Sequence, residues 1–335
     1  MTSIPTCWIL TDGKQGMINQ CLALAESVAR TVIDKRVALR TPWRQLSPWL
    51  RLGGLLAMAP ESDPIEPPWP DIVVACGRQS VVPALRVRRK SGGAVFTVYV
   101  QDPVIDPGHF DLVVAPRHDW RPEWEKATNV IVTTGAPNRV TRAQLAEAAE
   151  RFGPRLDHLP RPRAAVLIGG PNAVFRFDAS DMAALADRLA ALARSGIGLM
   201  VTTSRRTGAE NERILRDRLA GLPAEIWDGT GENPYFGYLA LADAVIVTAD
   251  SVNMVSEAAM TGKPIHVFEM AGGSDKFRAF HENMRQRGYT RPFVGPLEEW
   301  SYEPLDDTAM AAAEILRRIA VRKGAEGLDG RRERA

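Results

Sequence analysis

The sequence predicts an α/β protein built from two Rossmann-like, doubly wound domains facing a cleft. Three observations lead there. Short apolar runs alternate with amphipathic helical stretches. The runs are continuous rather than alternating, as strands buried on both faces of a parallel sheet require. The whole pattern restarts once, near residue 164, after a Pro- and Arg-rich stretch. At 335 residues the chain also exceeds the roughly 250–300 residues that one hydrophobic core sustains.

In the first half, strands are predicted at 7–11 (CWILT), 36–40, 71–76 (DIVVAC), 94–100 (AVFTVYV), 110–115 and 129–133 (NVIVT). Helices are predicted between and after them at 17–34, 79–90 and 141–151, which implies βαβ crossovers. These elements define a first domain over 1–152. The stretch FGPRLDHLPRPR at 152–163 has no apolar period, so 153–163 reads as a linker. The second domain, 164–305, carries strands at 164–170 (AAVLIGG), 198–204 (GLMVTTS), 224–227 (AEIW), 244–248 (AVIVT) and 264–268 (PIHVF). Its helices fall at 178–194, 209–220, 233–242, 251–261 and 275–287. A last helix, 306–322, opens a C-terminal segment, 306–335, whose polar end GAEGLDGRRERA is expected to fray.

Composition bounds the function. A net charge of +2 is too small for bulk nucleic-acid binding, so electrostatic recognition must be local. Three cysteines, Cys7, Cys21 and Cys76, predict reduced thiols rather than a disulfide framework. The N-terminus has neither a cationic nor a long apolar region, and no apolar run approaches the roughly 18–20 residues of a spanning helix. The expected setting is cytoplasmic, at most on the inner face of a membrane.

Ligands of open α/β sheets sit at the carboxyl ends of the strands. The strongest local signal there runs from Ala249 to Pro264 (ADSVNMVSEAAMTGKP). A strand ends in a polar turn, Ser251 can cap the next helix, and Gly262 stops it. The helix N-terminus, with Asn253 and Ser256 in its first turns, offers N–H groups to a diphosphate. Glu257 is placed to accept from a ribose diol; its plain alternative is a solvated surface glutamate. Gly169 and Gly170 follow the first strand of this domain, where small residues admit a phosphate. Ser204, Arg205 and Arg206 follow the second strand, and Asn233 and Tyr235 precede a helix within reach of a base. Lys263 suits either a phosphate or the dipole of the helix it follows.

The run S-x-x-x-x-S-E-A-x-x-x-G-K-P resembles the donor-binding stretch of GT-B glycosyltransferases. A wider set of segments resembles the mitochondrial-fission ELM family: Thr11-Asp12-Gly13-Lys14-Gln15-Gly16 with Asn19-Gln20, Cys76-Gly77-Arg78-Gln79-Ser80, Val100-Gln101-Asp102-Pro103, 110–119 (FDLVVAPRHD), Ile168-Gly169-Gly170 and 249–264. Together they span about residues 8–270. The resemblance implies a nucleotide-sugar donor in the second domain. An acceptor, lipid-linked or glycan, is expected at the strand ends of the first, at Gly13, Lys14, Gly16, Asn19, Gln20, Arg78, Gln79 and Asp102; Arg78 has an alternative in pairing with a neighbouring carboxylate. Relatives often carry His where this chain has Met17, so no base is carried over from that position.

Asp12 and His118 are the candidates for the catalytic base. Asp12 has a structural alternative, holding its own loop, and Asp102 has one in shaping the turn before Pro103. Asp-x-Asp, phosphate-loop, G-x-S-x-G and H-E-x-x-H patterns are absent. Metal-independent transfer is expected, with no cofactor beyond the donor itself. An epimerase or hydrolase of nucleotide sugars, and a non-catalytic adaptor on the same fold, are the competing readings. Finally, 43–58 carries two tryptophans and two arginines in an apolar setting, with a basic run at Arg86, Arg88, Arg89 and Lys90. It reads either as a core-packing helix or as a membrane-surface contact.

Overall fold

A computed structural model of the protein describes residues 5–50 and 57–332. The chain opens with β1 (Thr6–Thr11), α1 (Gln15–Val28), β2 (Thr31–Arg36), α2 (Trp43–Leu46), β3 (Ile72–Cys76), α3 (Val81–Lys90), β4 (Phe96–Val100), β5 (Leu112–Pro116) and β6 (Val130–Thr133). It continues with α4 (Arg142–Leu156), β7 (Arg163–Ile168), α5 (Ala179–Arg194), β8 (Gly198–Thr203), α6 (Ala209–Leu219), β9 (Ala224–Ile226) and α7 (Tyr235–Leu241). The last elements are β10 (Ala244–Thr248), α8 (Val252–Ala259), β11 (Ile265–Phe268), α9 (Asp275–Gln286), β12 (Thr290–Pro292) and α10 (Asp307–Arg332).

Two compact units result. Unit 1 comprises Met1–Arg139 and Asp306–Ala335; unit 2 is Val140–Leu305. Each holds one six-stranded parallel sheet, ordered β2-β1-β3-β4-β5-β6 in unit 1 and β12-β11-β10-β7-β8-β9 in unit 2. The fold class is the one the apolar runs predict. β3, β4, β5, β7 and β10 are buried at every residue, which is why their sequences show no polar alternation. Cys7, Cys21 and Cys76 are buried free thiols, and burial pushes the Cys7 thiol up to about 12.

Three boundaries differ from the sequence reading. Helix α1 stops at Val28, and 31–36 forms edge strand β2 in register Thr6↔Thr31 with β1. The β-branched run Thr31-Val32-Ile33 favours a strand, and the exposure of one edge leaves no apolar period to announce it. The 153–163 stretch is not a free linker. α4 runs through it to Leu156, burying Ala148, Phe152 and Leu156 on one helical stripe, so the units part at 139/140. Gly237 of α7 lies so close that a Cβ there would meet the Phe152 ring at 2.6 Å. The C-terminal segment belongs to unit 1, because Ala311, Ala312 and Ile315 of α10 join the core formed by α1 and the sheet. β12 is a short, mostly exposed strand with no sequence signal.

Candidate functional site

In unit 2 the strand order reverses between β7 and β10, with β8 and β9 to one side and β11 and β12 to the other. The loops diverge at such a point and leave a crevice for ligands. Asp250, just past β10, organises the turns that meet there. Its buried carboxylate accepts from the Thr248 hydroxyl at 2.7 Å, the Gly170 N–H at 3.2 Å and the Arg206 guanidinium at 2.6 Å. Arg206 also donates to the carbonyls of Gly170 (2.9 Å) and Pro171 (3.3 Å). Arg206 is therefore a clasp between the turns after β7 and β8. Arg205 beside it is exposed and makes no ion pair among the described residues. The Ser204 hydroxyl accepts the Arg206 N–H at 3.2 Å and holds its own turn.

The same packing explains the glycine pair. A Cβ on Gly169 would stand 2.2 Å from the Asp250 carboxylate, and one on Gly170 would stand 2.3 Å from the Arg206 carbonyl oxygen. These glycines admit protein atoms before they admit any phosphate.

Helix α8 starts from the Asp250 turn, and Ser251 caps it by accepting the Met254 N–H at 3.2 Å. Asn253, in its first turn, is half-buried. Two turns on, the half-buried Glu257 accepts a hydrogen bond from the Tyr235 hydroxyl at the start of α7. Burial raises the Glu257 carboxyl to about 7, and burial beside Glu257 pushes the Tyr235 phenol well above its usual value. The Asn233 carboxamide accepts the Tyr235 N–H at 3.0 Å and so shapes the turn that delivers the tyrosine. Two residues of the 249–264 run have other tasks than ligand contact. The buried Ser256 hydroxyl donates to the Val252 carbonyl of its own helix at 2.8 Å. The Lys263 ammonium donates to the Leu239 (2.7 Å) and Ala240 (2.6 Å) carbonyls at the end of α7, and burial lowers it to about 8.

In unit 1 the order reverses between β1 and β3. Asp12 and Gly77 meet there: a Cβ on Gly77 would lie 3.9 Å from the Asp12 carboxyl carbon and 2.7 Å from the Met17 sulfur. The Asp12 carboxylate binds the Lys14 ammonium at 2.8 Å and accepts the Lys14 N–H at 3.4 Å. Gly13 turns the loop at φ +86° and Gly16 lies in the first turn of α1. Asn19 accepts from Gln15 at 2.8 Å, and the buried Gln20 accepts from Gln101 at 3.1 Å. The Arg78 guanidinium donates to the Arg44 carbonyl (3.3 Å), and Gln79 accepts the Leu39 N–H (3.0 Å). Both thus fix the 39–47 segment. Asp102 is ion-paired with Arg121, whose Nε donates at 2.7 Å. His118 follows β5, which is three strands from β1, or about 14 Å at the usual spacing.

Residues 15–319 match the family described as Mitochondrial fission ELM1. The chain belongs to that family. It is 36% identical over 276 residues to Mitochondrial fission protein ELM1 of Arabidopsis thaliana, covering 76% of this chain and 65% of that protein. It is 27% identical over 355 aligned positions to an uncharacterized protein of Rickettsia prowazekii, covering 92% and 97%. Among solved structures it is similar to UDP-GlcNAc 2-epimerase from Methanocaldococcus jannaschii, with a TM-score of 0.55, 13% identity, and coverage of 93% and 99%. At that identity the likeness shows the fold alone, a GT-B-like pair of Rossmann-like units.

Within this family fold, sequence reasoning missed the residues whose role is to hold others. Asp250 stands inside the 249–264 run, Thr248 just before it and Thr207 at the end of the turn after β8, yet no pattern marks any of the three as the residue that holds the turns. Thr207 donates to the Gly169 carbonyl from inside the turn, and its sole signal is its place just past a strand. Arg121 lies 19 residues from Asp102, a spacing with no local meaning. Gln101 and Val104 adopt positive φ (78° and 63°), uncommon for side-chain-bearing residues, and nothing in their sequence announces it.

Proposed function

We propose that unit 2 binds a nucleoside diphosphate sugar and that the protein is a glycosyltransferase. One observation carries the reading: the Asp250-centred turns, the N-terminus of α8 and the half-buried Glu257 lie along one path at the strand reversal of unit 2. A diphosphate suits the first turn of α8, where N–H groups and the helix dipole favour negative charge. Arg205 supplies an uncommitted cation for the leaving diphosphate. Ionised Glu257 accepts from a ribose diol, with the Tyr235 hydroxyl holding the carboxylate in place. The strand-end residues of unit 1, Asp12, Asp102 and their neighbours, are the candidates for acceptor recognition.

The test is a thermal-shift series with UDP, GDP, ADP and CMP, each with and without its sugar. A saturable shift for one nucleotide, lost in Glu257→Ala, is the expected result. No shift with any nucleotide in a folded sample would sink the reading and favour a non-catalytic adaptor on the same fold. A second enzymatic reading, epimerisation or hydrolysis of the nucleotide sugar, draws support from the fold shared with UDP-GlcNAc 2-epimerases, one of which was solved with UDP-GlcNAc and UDP. Consumption of the donor without any acceptor would select it.

A further inference from the structure

The 40–50 segment of unit 1 is singled out by the sequence and unused by the nucleotide site. We infer that it docks the protein on an anionic lipid bilayer. Between Asp34 and Glu61 the chain has no acid, and its described part carries Lys35, Arg36, Arg40 and Arg44. Residues 51–56 lie outside the described residues and are no part of this surface. Arg40, Arg44 and Arg78 are exposed, and none forms an ion pair among the described residues. Arg78 is tied to this segment by its bond to the Arg44 carbonyl.

Beside these cations, Trp49 is 61% exposed and Leu46 47% exposed. Trp49 is the one aromatic among the exposed large hydrophobic side chains of the described residues. The Trp49 N–H donates to the Leu46 carbonyl at 2.9 Å, so both belong to one turn. Hydrogen bonds fix that turn from behind. The buried Ser47 hydroxyl donates to the Arg78 carbonyl at 2.7 Å, Leu39 N–H to Gln79 at 3.0 Å, and Arg40 N–H to the Ala57 carbonyl at 2.9 Å.

An indole and a leucine held outward, flanked by uncompensated guanidinium groups, match the headgroup region of a bilayer. The indole suits the boundary between acyl chains and water, and the guanidiniums suit lipid phosphates. Asp63 lies beside the start of this segment, its carboxylate accepting the Arg36 N–H at 2.6 Å, and Arg40, Arg44 and Arg78 are left for the negative charge of lipid phosphates. The basic run Arg86, Arg88, Arg89 and Lys90 takes no part. α3 leads from the carboxyl end of β3 back toward the start of β4, so its end lies at the opposite sheet edge. Arg88 there is also bound to Asp111 at 3.1 Å. Arg78 adjoins Gly77 and the β1–β3 reversal, so docking brings a membrane to that edge of unit 1.

The experiment is cosedimentation of the full chain with vesicles of phosphatidylcholine alone and of phosphatidylcholine with about a third phosphatidylglycerol. Binding is expected with the anionic vesicles only, and should weaken as salt rises through about 0.15 M. Trp49→Ser, and separately Arg40→Gln with Arg44→Gln, should each lower binding by roughly fivefold or more. An unchanged melting temperature without lipid shows that the variants fold. No binding to anionic vesicles, or binding unchanged in both variants, overturns the inference. So does a Trp49→Ser variant whose only change is a smaller oligomer, since the patch would then join copies of the chain. Nucleotide shifts in unit 2 should be the same in every variant, which keeps this test separate from that of the donor site.

Discussion

Glu257 is a carboxyl group whose folded-state value lies above its ordinary one, at about 7 rather than 4.5, because burial penalises its charge. Its stability contribution is therefore fully present below about pH 4.5 and is lost as pH rises through about 7. Glu257→Gln removes that term. The ligand-free wild type should lose melting temperature relative to the variant between about pH 4.5 and 7, and parallel curves would refute the assignment. Ribose hydroxyls donate to the ionised carboxylate, so nucleotide affinity should rise with pH over the same range. In Glu257→Gln the affinity should fall about tenfold and lose that pH dependence. Asp250 makes a second residue-scale prediction. Asp250→Ala leaves the buried Gly170 N–H and Thr248 hydroxyl without their acceptor and frees the Arg206 clasp. A loss of about 2–4 kcal/mol in urea unfolding is expected. Glu257 was legible because it stands in a spaced run with Ser251 and Gly262. Asp250 was not, since a buried acceptor is defined by donors brought from residues 80 and 44 positions away.

At the scale of elements, the strands were legible wherever burial on both faces made the apolar run continuous, as in β3, β4, β7 and β10. β2 and β12 escaped because edge strands mix polar and apolar residues without a period. α10 was visible as a helix, but its place was not. Nothing in 306–322 states that Ala311, Ala312 and Ile315 will pack on α1, since that contact closes a chain separation of about 290 residues. Its first residue makes the return specific. The buried Asp307 carboxylate accepts the N–H groups of Thr134 at 3.2 Å and Gly135 at 2.7 Å, just past β6. Thr308 adds reciprocal bonds with Asn138, at 2.9 and 2.8 Å. Asp307→Ala leaves two backbone donors in a buried turn without a carboxylate. It should destabilise unit 1 by about 1–3 kcal/mol, read as a lower urea midpoint. Glu314→Ala on the same helix removes ion pairs with the exposed Arg317 and the half-buried Arg318, and leaves no backbone donor without its acceptor. It should shift the midpoint far less. Equal effects would mean that the 134–138 turn does not hold the helix.

For the whole molecule, the connectivity makes the two units unequal. Unit 2 is one uninterrupted stretch, Val140–Leu305, whereas unit 1 is assembled from both ends of the chain. The sequence pattern divided the chain by order alone and so placed the last helix in neither domain. Unit 2 contains its complete sheet, its own core and every residue of the proposed donor site. A chain of residues 140–305 should therefore melt cooperatively by itself and keep the nucleotide shift of the full protein. At a ligand concentration about 100-fold above Kd, that shift corresponds to about 2.7 kcal/mol of added stability. A chain of residues 1–305 lacks α10, which uncovers Ile315's place beside α1 and removes the acceptor of the 134–135 turn. It should show the unit 2 transition with its nucleotide shift intact, while hydrogen exchange in 7–28 and 96–116 rises toward that of an unfolded chain. If instead 140–305 folds but fails to bind the nucleotide that shifts the full protein, the donor site requires groups outside unit 2. If 1–305 keeps full protection in those segments, α10 is dispensable to the core it covers.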